Sequence, residues 1–140
     1  MVTPFCGGCT CGAIRYECSA APLWSGNCHC RDCQRATGSA YYAELLVPKD
    51  AFRLTQGEPI YYAVTADSGR TLRRGFCATC GSPVLIWIGT QPFCSIAAAS
   101  LDDPSWYRPE MDIYTSRAHP WDVMDPALPK FPAMPPPITT

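Results

Sequence analysis

Seven of the ten cysteines in this chain of 140 residues fall in three short motifs. Closely spaced cysteines can hold a metal ion, form a disulfide, act as a redox pair or be inert core residues. Disulfide frameworks are typical of small secreted chains, whereas such motifs in a reducing compartment more often bind metal. The motifs are Cys9-Thr10-Cys11, Cys28-His29-Cys30-Arg31-Asp32-Cys33 and Cys77-Ala78-Thr79-Cys80.

The first and third motifs together contain the four thiols that a closed structural zinc site needs. Two thiolates three residues apart on a tight turn, such as Cys77 and Cys80, can bind one tetrahedral ion. Gly81 permits the positive φ that such a turn often needs, which leaves backbone N–H groups free to face the sulfurs. Cys9 and Cys11 would complete the site from the far end of the chain. The alternatives are a redox couple at the third motif, or a disulfide or inert set.

The second motif supplies only three thiolates, from Cys28, Cys30 and Cys33. Three protein ligands with one open position are typical of a catalytic zinc ion, which can act as a Lewis acid or lower the pKa of a bound group. His29 would point to the opposite face of an extended segment, so we expect it in the core or supporting the site. The alternative is a closed structural site. Its fourth ligand would be Cys6, Cys18, Cys94, His29 or His119.

Short β-strands are the elements predicted to position these motifs. Alternating, β-branched and aromatic residues punctuated by Gly and Pro predict a mainly β domain. One helical turn is predicted over residues 31–37, ended by Gly38. The predicted strands are residues 13–18, 41–47, 60–64, 71–76, 84–88 and 93–98.

The end of the chain has a different composition. Residues 104–140 hold nine of the fifteen prolines, including Pro135-Pro136-Pro137, so long regular elements are not expected there. Aromatic residues such as Trp106 and Phe131 are embedded among them. We therefore predict one domain, residues 1–140, in which about 104–140 form an irregular arm packed on the rest.

Composition and charge exclude several classes of protein. Hydrophobic residues make up 47% and charged residues 16% of the chain, which excludes a disordered chain. The net charge is −1 and acidic and basic residues are intermixed, so the chain has no basic patch of the kind that binds nucleic acid. The longest apolar run, residues 84–88, is too short to cross a bilayer, and Met1-Val2-Thr3-Pro4-Phe5 lacks the features of a secretory signal. A soluble, cytoplasmic protein is expected.

The order and spacing of three segments resemble the glutathione-dependent formaldehyde-activating enzyme family, which includes the centromere protein V-like domains. The resemblance covers about residues 7–92, and more loosely residues 101–104 and 121–132. It implies a Mss4-like fold of short antiparallel sheets around two zinc ions. The segments are Gly8-Cys9-x-Cys11-Gly12 with Arg15-Tyr16, Cys28-His29-Cys30-x-x-Cys33 with Gly38, and Arg74-Gly75-Phe76-Cys77-x-x-Cys80-Gly81.

The resemblance also implies an activity and a role for each cysteine. In that family glutathione and formaldehyde combine into S-hydroxymethylglutathione, a carbon–sulfur lyase reaction. The expected partners are therefore a small thiol such as glutathione and a small aldehyde. Cys9, Cys11, Cys77 and Cys80 match the structural zinc ligands, and Cys28, Cys30 and Cys33 match the catalytic zinc ligands.

Residues that contact the substrate are less evident. Gln34, Ser39 and Tyr41 follow the second motif and could line the pocket, although packing or turn roles are the alternative. No clear clamp for the glutathione carboxylates is present. The available cations, which we expect to be solvated strand or turn charges, are Arg31, Arg35, Arg73 and Arg74.

Two other functions compete with the enzymatic one. A non-catalytic, zinc-stabilised structural or interaction module has precedent among proteins of this fold. A thiol-redox or metal-handling protein could be built on the second motif. The remaining cysteines, Cys6, Cys18 and Cys94, have no motif partners and are predicted to be small buried hydrophobic residues.

Overall fold

The computed structural model describes residues 3–135, which form ten β-strands in two sheets and one α-helix. The predicted mainly β fold is confirmed, and the helix has the predicted bounds. The elements are β1 (Phe5–Gly8), β2 (Arg15–Cys18), β3 (Trp24–Cys28), α1 (Arg31–Thr37), β4 (Tyr42–Pro48), β5 (Phe52–Gln56), β6 (Ile60–Thr65), β7 (Thr71–Phe76), β8 (Pro83–Ile88), β9 (Phe93–Ala97) and β10 (Asp112–Ile113).

Four strands, β1, β3, β5 and β10, were not predicted, and β3 shows why. Its sequence, Trp-Ser-Gly-Asn-Cys, has neither the composition nor the alternation of a strand. The Ser25 hydroxyl donates to the Arg108 carbonyl (2.6 Å), and the Asn27 amide donates to Asp112 Oδ1 (3.3 Å). Partners from the last third of the chain thus satisfy these polar groups, which no local pattern reveals.

The two sheets differ in size and connectivity. The smaller has the order β1-β2-β5, and the larger has the order β10-β3-β4-β9-β8-β7-β6. Every pair of neighbouring strands is antiparallel except β10 and β3, which are parallel. In the seven-stranded sheet, β4, β9 and β8 lie between β3 and β7, and β3 is followed along the chain by α1.

Strand β4 is buried on both faces, so the larger sheet separates two hydrophobic clusters. Leu45 and Val47 belong to the cluster between the two sheets. Tyr42 and Leu46, which alternate with them, belong to the cluster on the opposite face. The cysteines of the second motif are part of this latter cluster. The fold thus places the second motif in a hydrophobic layer of its own.

Residues 104–135 form an irregular arm that packs on the sheets. Trp106 contacts Phe5 edge to face, with ring centroids 5.3 Å apart, and the Tyr107 hydroxyl donates to a carbonyl of β3 (2.9 Å). The arm also supplies β10, which extends the larger sheet beside β3. Trp121 differs from the other aromatics of the arm because 68% of it is exposed. The arm therefore covers the edge of the larger sheet.

Some predictions fall beyond the described residues or are untested. Met1-Val2 and residues 136–140, with Pro136 and Pro137 of the proline-rich end, lie outside them. The single domain of residues 1–140 stays a prediction. Within residues 3–135, no helix has the length and apolar character needed to cross a membrane.

Candidate metal centres

The first and third motifs meet in space and form the four-cysteine cluster (Cys9, Cys11, Cys77 and Cys80). All four sulfurs lie within 4.8 Å of one another. The Cys11 sulfur is 3.6 Å from that of Cys9 and 3.7 Å from that of Cys77. A tetrahedral zinc ion with Zn–S bonds of about 2.3 Å separates its sulfurs by about 3.8 Å. The cluster therefore has the spacing of a tetrahedral four-thiolate site.

Backbone and hydroxyl groups around this cluster are arranged to stabilise thiolates. The Ile14 N–H donates to the Cys9 sulfur (3.2 Å), and the Thr79 N–H donates to the Cys77 sulfur (3.4 Å). Gly81 has the predicted positive φ, 76°, which closes the turn after Cys80. Hydrogen bonds from Ser82 lower the pKa of the Cys80 thiol to about 5. A metal ion would thus meet one ligand, Cys80, that already favours the charged form, whereas the pKa of the Cys11 thiol is raised to about 11 beside the Cys9 thiol.

The four-cysteine cluster cross-links the two sheets. Cys9 and Cys11 lie on the turn between β1 and β2 of the smaller sheet, and the other pair lies between β7 and β8 of the larger one. The same turns are joined by a hydrogen bond from the Thr10 N–H to the Ser82 hydroxyl (3.2 Å). An ion held here would connect two parts of the chain that are distant in sequence, which is a structural task.

The second motif forms the three-cysteine cluster (Cys28, Cys30 and Cys33) at the junction of β3 and α1. The three sulfurs lie within 4.8 Å of one another, and the residues are 3–9% exposed. Cys30 is the N-cap of α1, where its sulfur accepts the Cys33 N–H (3.4 Å). Hydrogen bonds from the Cys28 and Cys33 thiols hold the pKa of the Cys30 thiol far below its ordinary value.

No fourth side chain joins the three-cysteine cluster in the part of the chain that the structure describes. The group of close ligand atoms contains only the three sulfurs. Cys18 and Cys94 are fully buried on the other side of the larger sheet, and Cys6 is half-buried in β1. His119 Nε2 donates a hydrogen bond to Gln34 Oε1 (2.7 Å), and the His119 ring stacks on Trp121. Four of the five alternative fourth ligands, Cys6, Cys18, Cys94 and His119, therefore have other surroundings.

His29 lies between two cysteines of the cluster in sequence, but its ring is directed elsewhere. The side chain is fully buried, with Nε2 3.0 Å from Asp112 Oδ1 and Nδ1 3.1 Å from Asp122 Oδ2. Only the first of these contacts has the angle of a hydrogen bond. Lys130 pairs with the other oxygen of Asp112 (3.0 Å). His29 thus connects the cluster segment to the arm, through partners that no sequence motif indicated.

The three-cysteine cluster opens into a cavity of about 80 Å³. The four-cysteine cluster does not line this cavity. Strands β3, β4, β7, β8 and β9 supply most of its walls, and the arm supplies Ile113, Tyr114 and Met134. Cavities that are mainly apolar with a few polar groups are typical of small-molecule sites.

Sequence comparison places the chain in a known family. A family model for the glutathione-dependent formaldehyde-activating enzymes matches residues 4–117, which include both cysteine clusters. The chain belongs to this family. Membership supports a glutathione-dependent formaldehyde-activating role for the protein.

A solved structure shares the fold of this family member. The crystal structure of a Rhodobacter sphaeroides protein is similar with a TM-score of 0.57 and 22% identity. The similarity covers 74% of this chain and 91% of that one. A search among curated proteins gives no match.

Arg74 adds a buried positive charge beside the three-cysteine cluster of this formaldehyde-activating family member. It is 9% exposed, and its Nη2 donates to the Cys33 sulfur (3.3 Å). Its Nε is buried without a hydrogen-bond partner among the described residues. The expectation of a solvated strand charge is therefore wrong for Arg74, because the antiparallel register of β7 and β8 turns it inward opposite Ile86.

A buried carboxyl group on the cavity wall was also missed in the sequence. Glu44 is 9% exposed and accepts a hydrogen bond from the Ser95 hydroxyl (2.6 Å). Burial raises the pKa of Glu44 to about 7, against the lowering effects of Ser95 and Arg74. A Glu inside the apolar run of β4 was the available signal, since unpaired buried acids are rare outside functional sites.

The three residues predicted to contact substrate do not line this cavity. Gln34 is buried and donates to the carbonyls of His29 (2.7 Å) and Arg117 (3.0 Å). Ser39 and Tyr41 line a separate depression near the four-cysteine cluster. Gln34 therefore holds α1 against the arm, and a substrate role for the three residues stays a prediction.

Proposed function

We propose that the protein is a cytoplasmic, zinc-dependent carbon–sulfur lyase that joins a thiol such as glutathione to a small aldehyde, and that also catalyses the reverse reaction. One observation carries the proposal. The three-cysteine cluster offers three ligand atoms at the wall of a small-molecule cavity, in a member of the formaldehyde-activating family.

Two zinc ions per chain fit the donor sets. The four-cysteine cluster would hold a structural ion, because four thiolates close a tetrahedral shell. The three-cysteine cluster would hold the second ion, because zinc is among the metals that soft thiolates bind well and the three sulfurs are buried together. When bound there, zinc has an open coordination position, and its charge lowers the pKa of a thiol that binds at this position, which keeps the thiol as a reactive thiolate.

The chain's own residues orient the reactants and manage the proton. Arg74 holds the Cys33 sulfur and places positive charge beside the reacting groups. The apolar walls exclude water, which strengthens that electrostatic effect. Glu44, when protonated, can donate from its carboxyl group to the aldehyde oxygen as the carbon–sulfur bond forms. The carboxylate then takes up the proton that the next thiol releases, so the cycle balances.

The direct test is metal analysis combined with kinetics. We expect two zinc ions per chain, and faster exchange between free and glutathione-bound formaldehyde in NMR than in buffer alone. Cys33→Ser should remove the acceleration, whereas Cys6→Ser, outside both clusters, should keep it. A protein that binds two zinc ions and leaves the exchange rate unchanged would instead be the zinc-stabilised structural module.

A further inference from the structure

The cavity beside the three-cysteine cluster is larger and more apolar than formaldehyde requires. Formaldehyde has no hydrocarbon group and is strongly hydrated in water. The cavity measures about 80 Å³, and large apolar side chains from five strands and the arm line it. Six of them are Trp24, Leu46, Leu72, Ile86, Ile88 and Phe93.

The charged groups of the cavity argue against the ends of glutathione lying inside it. Glutathione carries carboxylates at both ends and an ammonium group, and charges are costly to bury without partners. The carboxyl groups of Glu44 and Asp67 line the cavity and would repel those carboxylates when ionised. Of the two guanidinium groups that line it, Arg74 already donates to the Cys33 sulfur and Arg70 has an interaction of its own. The thiol therefore reaches the cluster from the mouth, and the apolar space remains for the other reactant.

The arm completes the apolar wall at a position of unusual backbone geometry. Tyr114 lies in the left-handed region (φ 55°, ψ 38°), which is uncommon for a residue other than glycine. The Thr115 N–H donates to the Phe131 carbonyl (3.0 Å), which helps to hold this conformation. Both Tyr114 and its neighbour Ile113 line the cavity. Such conformations persist where surrounding structure maintains them, often at ligand sites.

We propose, building on the proposed function, that the aldehyde substrate carries an aliphatic chain or aromatic ring that fills this cavity. The thiol S–H bond breaks and an S–C bond forms. The carbonyl becomes a hydroxyl by taking the proton, so no oxidant or reductant is involved. The trapped hydrocarbon group supplies binding energy in the same cavity that holds the reacting carbonyl.

The test uses the zinc-loaded full chain with glutathione and three aldehydes: formaldehyde, butanal and hexanal. For each aldehyde, kcat/KM is divided by the uncatalysed rate constant to remove intrinsic reactivity. Each methylene buried should raise this ratio about fourfold. Separately, hexan-1-ol, which cannot react, should bind the zinc-loaded chain and shift the NMR methyl signals of Ile86 and Ile88.

A matched pair of variants links the preference to the cavity. Ile88→Lys places a charge in the cavity wall and should reduce the ratio of hexanal to formaldehyde activity at least about tenfold. Ile60→Lys, on the exposed edge strand β6, should leave that ratio unchanged. Ile88→Thr, a milder change, serves if Ile88→Lys does not fold.

The outcomes separate the two proposals. If formaldehyde is accelerated as strongly as hexanal, the larger aldehyde is excluded and the proposed lyase function stands. Failure of hexan-1-ol to bind would likewise overturn only the proposal that the substrate is a larger aldehyde. If the two-zinc protein accelerates none of the aldehydes, both proposals fail together.

Discussion

The two cysteine clusters use the same chemical group in different surroundings. The four-cysteine cluster lies on two turns, with Cys11 and Cys80 exposed, and joins the two sheets. The three-cysteine cluster is buried where a strand meets a helix, and it opens into an apolar cavity with Glu44 and Arg74 nearby. The first offers the four sulfurs that a tetrahedral ligand set needs, and the second offers three among the described residues.

The comparison shows that the position of a cluster in the fold determines what a bound ion can do. A complete shell at a turn leaves an ion nothing to bind except protein, so its effect is on stability. An incomplete shell in an apolar cavity leaves a position for a ligand, and the low dielectric strengthens the effect of neighbouring charges. Four substitutions test this division.

The largest effect is expected from Cys80→Ser, which removes one ligand of the four-cysteine cluster. Structural zinc sites contribute about 10–16 kcal/mol in finger peptides, as much as the whole stability of a typical domain. The variant should therefore be largely unfolded by circular dichroism. Cys6→Ser is the control, since Cys6 belongs to neither cluster. Equal melting temperatures for Cys80→Ser and the parent would contradict the structural assignment.

Cys33→Ser should separate activity from folding. We expect one zinc ion per chain instead of two, a retained fold, and loss of glutathione–formaldehyde exchange by at least about 100-fold, because catalytic metals contribute several kcal/mol. Metal analysis, circular dichroism and NMR exchange measure the three results. If Cys33→Ser unfolds as completely as Cys80→Ser, the two clusters do not differ in role.

Glu44→Gln should reveal the buried carboxyl through pH. The pKa of Glu44 is raised to about 7 from 4.5, so its burial destabilises the fold as pH rises through this interval and the group ionises. The free energy of unfolding of Glu44→Gln should therefore increase relative to the parent between about pH 4.5 and about pH 7, by at most about 3 kcal/mol.

The control for this prediction is Glu58→Gln, because Glu58 is exposed. Its difference from the parent should not change over the same pH interval. Urea unfolding of the zinc-loaded proteins provides the measurement. A constant difference for Glu44→Gln as well would mean that Glu44 is not held in the neutral form.

Arg74→Met should have the smallest effect, confined to the three-cysteine cluster. Arg74 donates to the Cys33 sulfur. Loss of a group that hydrogen-bonds a metal ligand typically lowers the metal affinity by about 10–100-fold. Chelator competition should show weaker binding of one zinc ion only. Arg73→Met is the matched control, since the Arg73 guanidinium stacks on the Tyr61 ring instead (4.4 Å). Equal zinc affinity for both variants would exclude a supporting role.

Much of the fold could be predicted because its signals are local. Alternation and turn residues indicated six strands, and Gly38 correctly ended α1. Strand β3 could not be predicted, because its polar residues are satisfied by Arg108 and Asp112 from the arm. At the site, the different positions of Arg73 and Arg74 could not be predicted either. The two are adjacent in sequence, and only strand pairing decides which one turns to the cysteines.

The sequence by itself determined the cysteine motifs, the mainly β character and the family, since spacing and periodicity are properties of neighbouring residues. Only the tertiary structure decided which motifs meet, that Glu44 and Arg74 are buried beside the second motif, and that an apolar cavity lies there. The physical reason is that burial, and with it the pKa of Glu44, depends on strands distant in sequence packing around one point.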